Sequence, residues 1–230
     1  MKLPRVLAAF VLSIAVAPVV AAPRNITPGE MALIPEFCQD AQTFNGWEQY
    51  VRESPRAPFW ISKMGRSFWA IHHHCWAGIH VLRSKQPGLA PAMRDGMLEQ
   101  AIDDYFYIIR LAPPGMVLLP ELYYLVGDLQ RQLRQYGAAI DSFNRSRAEK
   151  PDYWPPYVGH VEILLLSNQR AEAKAMLEAG LKLMPDEPAL KNRLARLNAG
   201  TAEAAASARA AKNTTVRRPA TAAKPASAPQ

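Results

Sequence analysis

Residues 120–153 read PELYYLVGDLQRQLRQYGAAIDSFNRSRAEKPDY, and residues 154–187 read WPPYVGHVEILLLSNQRAEAKAMLEAGLKLMPDE. Four pairs of similar residues lie 34 positions apart in the two stretches: Tyr123 and Tyr157, Ala139 and Ala173, Phe143 and Leu177, and Pro151 and Pro185. A period of this length is typical of repeats made of two helices. A small alanine lets the two helices approach closely, a large apolar residue fills the space between pairs, and proline ends the second helix.

These positions resemble the signature of the tetratricopeptide repeat family over residues 120–185. The first repeat matches the signature at Tyr123, Gly127, Ala139, Phe143 and Pro151, and the second matches it at Tyr157, Ala173, Leu177 and Pro185. The second repeat departs from the pattern because Val161 replaces the glycine, so no close helix contact is predicted there. The resemblance implies an all-α fold in which antiparallel helix pairs stack as a short solenoid with a C-terminal capping helix.

The resemblance also implies a binding surface. In this family the first helices of successive pairs line a concave groove that holds a peptide or helix from another protein. By position, the residues facing the groove would be Glu121, Tyr124, Asp128, Arg131, Val158 and Glu162. The alternative interpretation is that these residues are an ordinary solvated surface.

The chain divides into four predicted regions. These are a signal peptide over 1–21, an N-terminal helical and irregular region over 22–62, the repeat domain over 63–199, and a disordered tail rich in alanine, proline and basic residues over 200–230. Upstream of the two clear repeats, helices are predicted from Pro35 to Arg52 and from Lys63 to Leu82. The latter would be the first helix of a degenerate repeat, whose second helix would span 92–111. Further helices are predicted over 120–135, 137–149, 153–167, 170–183 and 187–198.

Residues 1–21 have the layout of a secretory signal peptide, with basic Lys2 and Arg5 before an apolar run and small residues at the end. Cleavage is predicted after Ala21, and a periplasmic or secreted location follows. An uncleaved membrane anchor is the alternative, although the run is interrupted by Pro18 and is shorter than the roughly 20 residues that cross a bilayer.

The formal net charge of +7 is concentrated at the two ends of the chain. Seven of the 27 basic residues lie in the first 21 residues or from Arg209 onward, and the remainder nearly balances the 20 acidic residues. Nucleic-acid recognition requires a clustered basic face, so no nucleic-acid partner is predicted. The basic tail could make weak contact with anionic envelope components.

Cys38 and Cys75 are the only cysteines, and an exported protein meets an oxidising compartment. A disulfide between them is therefore favoured. The alternative is a metal-binding or redox site that uses His72, Cys75 and Cys38, because His72 and Cys75 are three residues apart on a predicted helix. No cofactor and no catalytic residue are predicted, since the usual protease, redox and haem-attachment motifs do not occur in the sequence.

Six aromatic residues crowd the N-terminal half: Trp47, Phe59, Trp60, Phe68, Trp69 and Trp76. Such residues are favoured as core, with an exposed docking patch or a ligand pocket as the alternatives. Together these features predict a periplasmic, non-enzymatic scaffold or adaptor, which binds a segment of another protein in envelope assembly or secretion.

Overall fold

A computed structural model describes residues 23–200 of the chain. The predicted signal peptide over 1–21 and nearly all of the predicted tail lie outside these described residues. Within 23–200 the fold is all-α, as predicted, and the only β-type pairing there is an isolated bridge between Glu48 and Arg52.

Three helix pairs form the body of the molecule. Helices α3 (His72–Ser84) and α4 (Pro91–Leu111) pack against each other, as do α5 (Leu119–Gln132) with α6 (Tyr136–Glu149) and α7 (Pro155–Leu166) with α8 (Arg170–Leu183). A last helix, α9, begins at 188 and continues through 200, where the described residues end. The pairs α5/α6 and α7/α8 coincide with the two sequence repeats.

Proline sets the start of several of these helices. Pro91 opens α4, Pro120 is the second residue of α5, and Pro155 and Pro156 open α7. The first turn of a helix tolerates proline because its N–H groups have no partner inside the helix. The sequence prolines therefore mark the beginnings of helices as well as the ends of repeats.

The N-terminal region is less helical than predicted. It contains the short helix α1 (Pro28–Met31), the 3₁₀ turn Glu36–Gln39, and helix α2 (Ala57–Met64). The predicted helix from Pro35 to Arg52 is wrong. Positive φ angles at Thr43, Asn45, Gly46 and Tyr50 place a series of turns there. Asn45-Gly46 is a strong turn signal in the sequence, and it lies in the middle of the predicted helix.

The predicted continuous helix from Lys63 to Leu82 is also wrong. Gly65 ends α2 with a φ of 61°, a conformation that glycine adopts without a Cβ penalty. A 3₁₀ segment, Gly65–Ala70, then leads into α3. The polypeptide changes direction at this point, which brings the segment beside the turns of the N-terminal region.

The N-terminal region is fastened to α3 at two places. A disulfide joins Cys38 to Cys75, as the sequence analysis favoured, and both residues are fully buried. Farther along α3, the Arg83 guanidinium binds the Glu30 carboxylate, with Nε 2.6 Å from Oε1. Glu30 also accepts a hydrogen bond from the Thr27 backbone N–H, and the Arg83 and Thr27 hydrogen bonds lower its pKa to about 2.

Phe143 is the large side chain at the centre of the two clear repeats, and it is fully buried. Two glycines leave room for its ring. A Cβ atom on Gly127 would lie 2.7 Å from Phe143 Cδ1, and one on Gly159 would lie 2.5 Å from Phe143 Cζ. The close helix approach in the second repeat therefore occurs at Gly159 on α7, two residues before Val161, which is itself buried.

Candidate protein-binding groove

The four predicted groove residues of α5 lie along one face of that helix. Glu121, Tyr124, Asp128 and Arg131 follow one another at steps of three or four residues, which keep side chains on the same side of an α-helix. All four are half-buried. The core-facing side of α5 carries the fully or nearly fully buried residues Leu122, Val126 and Leu129. Helix α5 therefore carries a polar and aromatic face beside its buried one, and Tyr124 on that face also stacks on the buried ring of Phe143.

A chain of ion pairs connects this face of α5 with helices α7 and α9. Arg131 Nη2 lies 2.6 Å from Asp128 Oδ1 within α5, and Arg131 Nη1 lies 3.1 Å from Glu162 Oε2 on α7. The other oxygen of Glu162 lies 3.3 Å from Arg193 Nη2 on α9. The four residues thus link α5, α7 and α9 along one surface, which we call the groove.

The ion-pair chain explains what these predicted residues do in the absence of a partner. Asp128, Arg131 and Glu162 neutralise one another, and each half-exposed pair contributes at most about 1 kcal/mol to stability. Two of the pairs, Arg131 with Glu162 and Glu162 with Arg193, join one helix to the next. The unpaired charged groups therefore lie at the two ends of the groove.

One end of the groove is acidic and aromatic. The rings of Tyr124 and Tyr153 meet edge to face with centroids 6.1 Å apart. Beside them, burial raises the pKa of Glu121, and burial together with Glu121 and Tyr124 raises the pKa of Tyr153. The Glu121 carboxylate has no hydrogen bond or ion pair to any residue between 23 and 200. This acidic end can accept a hydrogen bond from a donor group or bind a cation.

The other end of the groove is basic. A cavity of about 260 Å³ is lined there by Leu165, Arg170, Arg193, Arg196 and Leu197. The Nε atom of Arg193 is buried without an acceptor among the described residues. Arg196 forms no ion pair within the same part of the chain, and Arg170 donates only a long hydrogen bond of 3.4 Å to the Leu197 carbonyl. This arginine end can bind an anionic group.

Val158, the remaining predicted residue, lies on α7 between these two ends. It is half-buried and packs against the core of the second repeat. It precedes Glu162 on α7 by one helical turn. The ion pairs bring Asp128, Arg131 and Glu162 together, and Glu121 and Tyr124 share the face of α5 with the first two.

The arginine end was not among the predicted groove residues. Arg193 and Arg196 were assigned to the capping helix, whose polar side they share. Extending the period of 34 residues from Glu162 leads to Arg196, just as extending it backward leads to Asp128. The repeat itself thus held the signal for a third groove helix, although α9 has no paired second helix among the described residues.

The alternative site at His72, Cys75 and Cys38 has a different structure. The disulfide occupies both thiols, so neither is available as a metal ligand. His72 Nδ1 lies 3.0 Å from the Trp69 carbonyl and 3.0 Å from Gln42 Nε2. Burial and the neighbouring His73 lower its pKa to about 4. In the part of the chain that the structure describes, no three His, Cys, Asp or Glu residues are arranged to hold a metal ion.

The six aromatic residues of the N-terminal half divide between core and surface. Phe68 is fully buried, the four tryptophans are half-buried, and Phe59 is about half exposed. Trp60 donates a hydrogen bond to Asp40 Oδ2 at 2.7 Å, which satisfies its indole N–H. Most of these side chains therefore pack in the core or against it, and Trp69 lines a cavity.

From residue 23 to residue 200, none of the helices combines the length and hydropathy required to cross a membrane.

Part of the chain is similar to a known repeat family. Residues 130–197 match the family model described as tetratricopeptide repeat, a range that covers α6 to α8 and most of α9. A solved structure, the first TPR of Spaghetti (RPAP3) bound to HSP90 peptide SRMEEVD, is 21% identical in sequence with a TM-score of 0.40. The similarity covers 55% of this chain and 95% of that chain. No curated protein matches the chain.

Proposed function

We propose that this tetratricopeptide repeat protein is a non-enzymatic scaffold that holds a short segment of a partner protein in the groove. The observation that carries the proposal is the distribution of charge along α5, α7 and α9. The middle of the groove is internally neutralised by the ion-pair chain, whereas Glu121 and the arginine end keep unpaired groups. The two ends of the groove carry opposite charges, so a bound segment must carry the matching charges in one order. The groove therefore favours one direction of the bound segment.

The partner segment follows from this charge distribution. Toward Glu121 it carries a hydrogen-bond donor or a basic group, and toward Arg193 and Arg196 it carries a carboxylate. Guanidinium groups bind carboxylates through paired hydrogen bonds, which are stronger than bonds between neutral groups. Between the ends, Tyr124 and Val158 provide aromatic and apolar contact. A peptide or a helix of the partner meets these requirements.

We also propose that the scaffold works in the bacterial periplasm, in envelope assembly or secretion. The sequence of residues 1–21 supports this, because it has the layout of a cleaved signal peptide. The disulfide also supports it, because such bonds persist in oxidising compartments and are rare in the cytosol.

The groove is tested by photocrosslinking and neutralisation of its two ends. Photoreactive p-benzoyl-phenylalanine at position 158 is expected to crosslink one discrete partner in intact cells. Combining it with Glu121→Gln and Arg196→Gln should lower the yield about tenfold, because each substitution removes a charge-assisted contact. Mass spectrometry of the crosslinked band identifies the segment, whose acidic group should lie on the side of α9.

A matched control removes the same two charges from α6. Arg145 and Glu149 are exposed there, one helical turn apart, and Arg145→Gln with Glu149→Gln changes the net charge by the same amount. Crosslinking from position 158 should be unchanged in this variant. If both double variants lost crosslinking yield to the same extent, or if neither lost any, recognition by the ends of the groove would be refuted.

The location is tested independently by fractionation of cells that express the untagged chain. Release with the periplasmic contents is expected, with an intact mass that corresponds to a start at Ala22. A protein that retains residues 1–21 and stays with the cytosol would exclude the envelope role. That result would leave the groove proposal standing, since the crosslink does not depend on the compartment.

A further inference from the structure

A second concave site lies away from the groove, where the N-terminal turns meet the first helix pair. It is a cavity of about 510 Å³, within the size range of pockets that hold small ligands. Its walls come from the turns around Gln42 and Gln49, from the 3₁₀ segment Gly65–Ala70, from the start of α3, and from the end of α4 with the loop after it. Neither clear repeat contributes to it.

The polar groups of this cavity are arranged for an anion. Arg66 lines the cavity and has no ion pair or hydrogen bond with any described residue. Ser67 also lines it, is only 6% exposed, and its hydroxyl has no partner between residues 23 and 200. Buried hydroxyl groups without a partner are rare in folded proteins, because each costs free energy. No aspartate or glutamate is among the residues that line the cavity.

The apolar walls are aromatic and firmly held. Tyr107 stacks on His73 with ring centroids 3.9 Å apart, and His73 Nδ1 lies 2.6 Å from the buried Asp104 carboxylate. On the other side, Gln42 Nε2 donates a hydrogen bond of 2.7 Å to the carbonyl of Trp69. These contacts fix the two ring-bearing residues before any ligand enters, which reduces the entropic cost of binding.

We propose that this cavity binds an aromatic carboxylate. The carboxylate pairs with the Arg66 guanidinium, while the ring lies against Trp69 and Tyr107. The ligand could be a free small acid or the C-terminal residue of a peptide, because both present a carboxylate beside a ring. The site is independent of the groove and does not rest on the proposed scaffold function.

The test uses the exported chain, residues 22–230, and two matched pairs of probes. Phenylacetate is compared with phenylacetamide, and N-acetyl-Ala-Phe is compared with its C-terminal amide, by following the indole N–H resonance of Trp69 by NMR. Saturable shifts are expected with at least one of the acids, and its amide should bind about tenfold more weakly because it lacks the charge. Which acid binds distinguishes the free acid from the peptide terminus.

Two substitutions and a control connect the binding to the assigned groups. Arg66→Gln should weaken the acid about tenfold and leave the amide unchanged, since Arg66 is exposed at the mouth and makes no contact that the fold needs. Ser67→Ala should leave the binding of the acid unchanged, because the Ser67 hydroxyl is buried behind the cavity wall. Arg94→Gln, at the opposite end of α4, should have no effect. Absence of a saturable shift with both acids, equal affinity for acid and amide, or unchanged acid binding in Arg66→Gln would overturn the proposal.

Discussion

Replacing Phe143 with alanine is expected to lower the free energy of unfolding by about 3 to 5 kcal/mol, the range found for truncating large buried aromatic residues. Phe143 is fully buried, and its ring occupies the space between α5, α6 and α7. Urea unfolding followed by far-UV circular dichroism measures the change.

The same packing predicts the effect of filling the space from the other side. Gly159→Ala places a Cβ 2.5 Å from Phe143 Cζ, and such overpacking costs about 1 to 3 kcal/mol. Gly96→Ala is the matched control, because Gly96 also lies inside a helix but nothing comes within 4 Å of its added Cβ. That substitution should stabilise the protein by about 0.5 to 1 kcal/mol through helix propensity. If both alanine substitutions raised the free energy of unfolding, or if both lowered it, the packing described for Phe143 would be contradicted.

The repeat half of the molecule could be predicted because its information is local and periodic. Tyr123, Ala139, Phe143 and their counterparts 34 residues later fix the order of helices and the faces that pack. The predicted ends of α8 agree with the structure, because the neighbouring turn and proline signals are strong. Among the positions carried over from the family, Arg131 and Glu162 form an ion pair between successive repeats, since a constant period brings equivalent helices side by side.

The N-terminal half could not be predicted in the same way. Its turns are set by residues far apart in sequence, such as Ser54 and Asp40, whose side chains lie 2.6 Å apart. Asn45-Gly46 signals one of these turns in the sequence, but the positive φ angles at Thr43 and Tyr50 have no such local signal. The Arg66 cavity depends on the break at Gly65. A continuous helix from Lys63 onward would have carried Arg66 and Trp69 along a straight axis.

Removing the disulfide is expected to destabilise the N-terminal region by about 4 kcal/mol, from the loop-closure entropy of its 37-residue separation. The variant Cys38→Ala with Cys75→Ala removes the crosslink without leaving a buried hydroxyl unpaired. Guanidinium unfolding, followed by tryptophan fluorescence, should show the loss, because Trp47, Trp60 and Trp69 all lie in this region or beside it.

Two comparisons make the result specific to the crosslink. Wild-type protein reduced with a thiol reagent should show the same shift as the double variant, since both lack the bond. In the oxidised protein, two thiols should react with a labelling reagent only after unfolding and reduction. Labelling of two thiols without reduction would refute the disulfide, and a stoichiometric metal ion in that sample would restore the site at His72, Cys75 and Cys38.

The loss should be confined to one end of the molecule. The core cluster that contains Phe37, Cys38 and Phe44 reaches as far as α5, whereas the clusters around Phe143 and Leu177 contain no residue from the N-terminal region. Without the crosslink, the tryptophan signal should therefore be lost at a lower denaturant concentration than the helical signal of the repeats. In the oxidised protein the two signals should change together. Coincident transitions in both forms would mean that the N-terminal region and the repeats unfold as one unit, coupled by the core cluster that reaches from that region to α5.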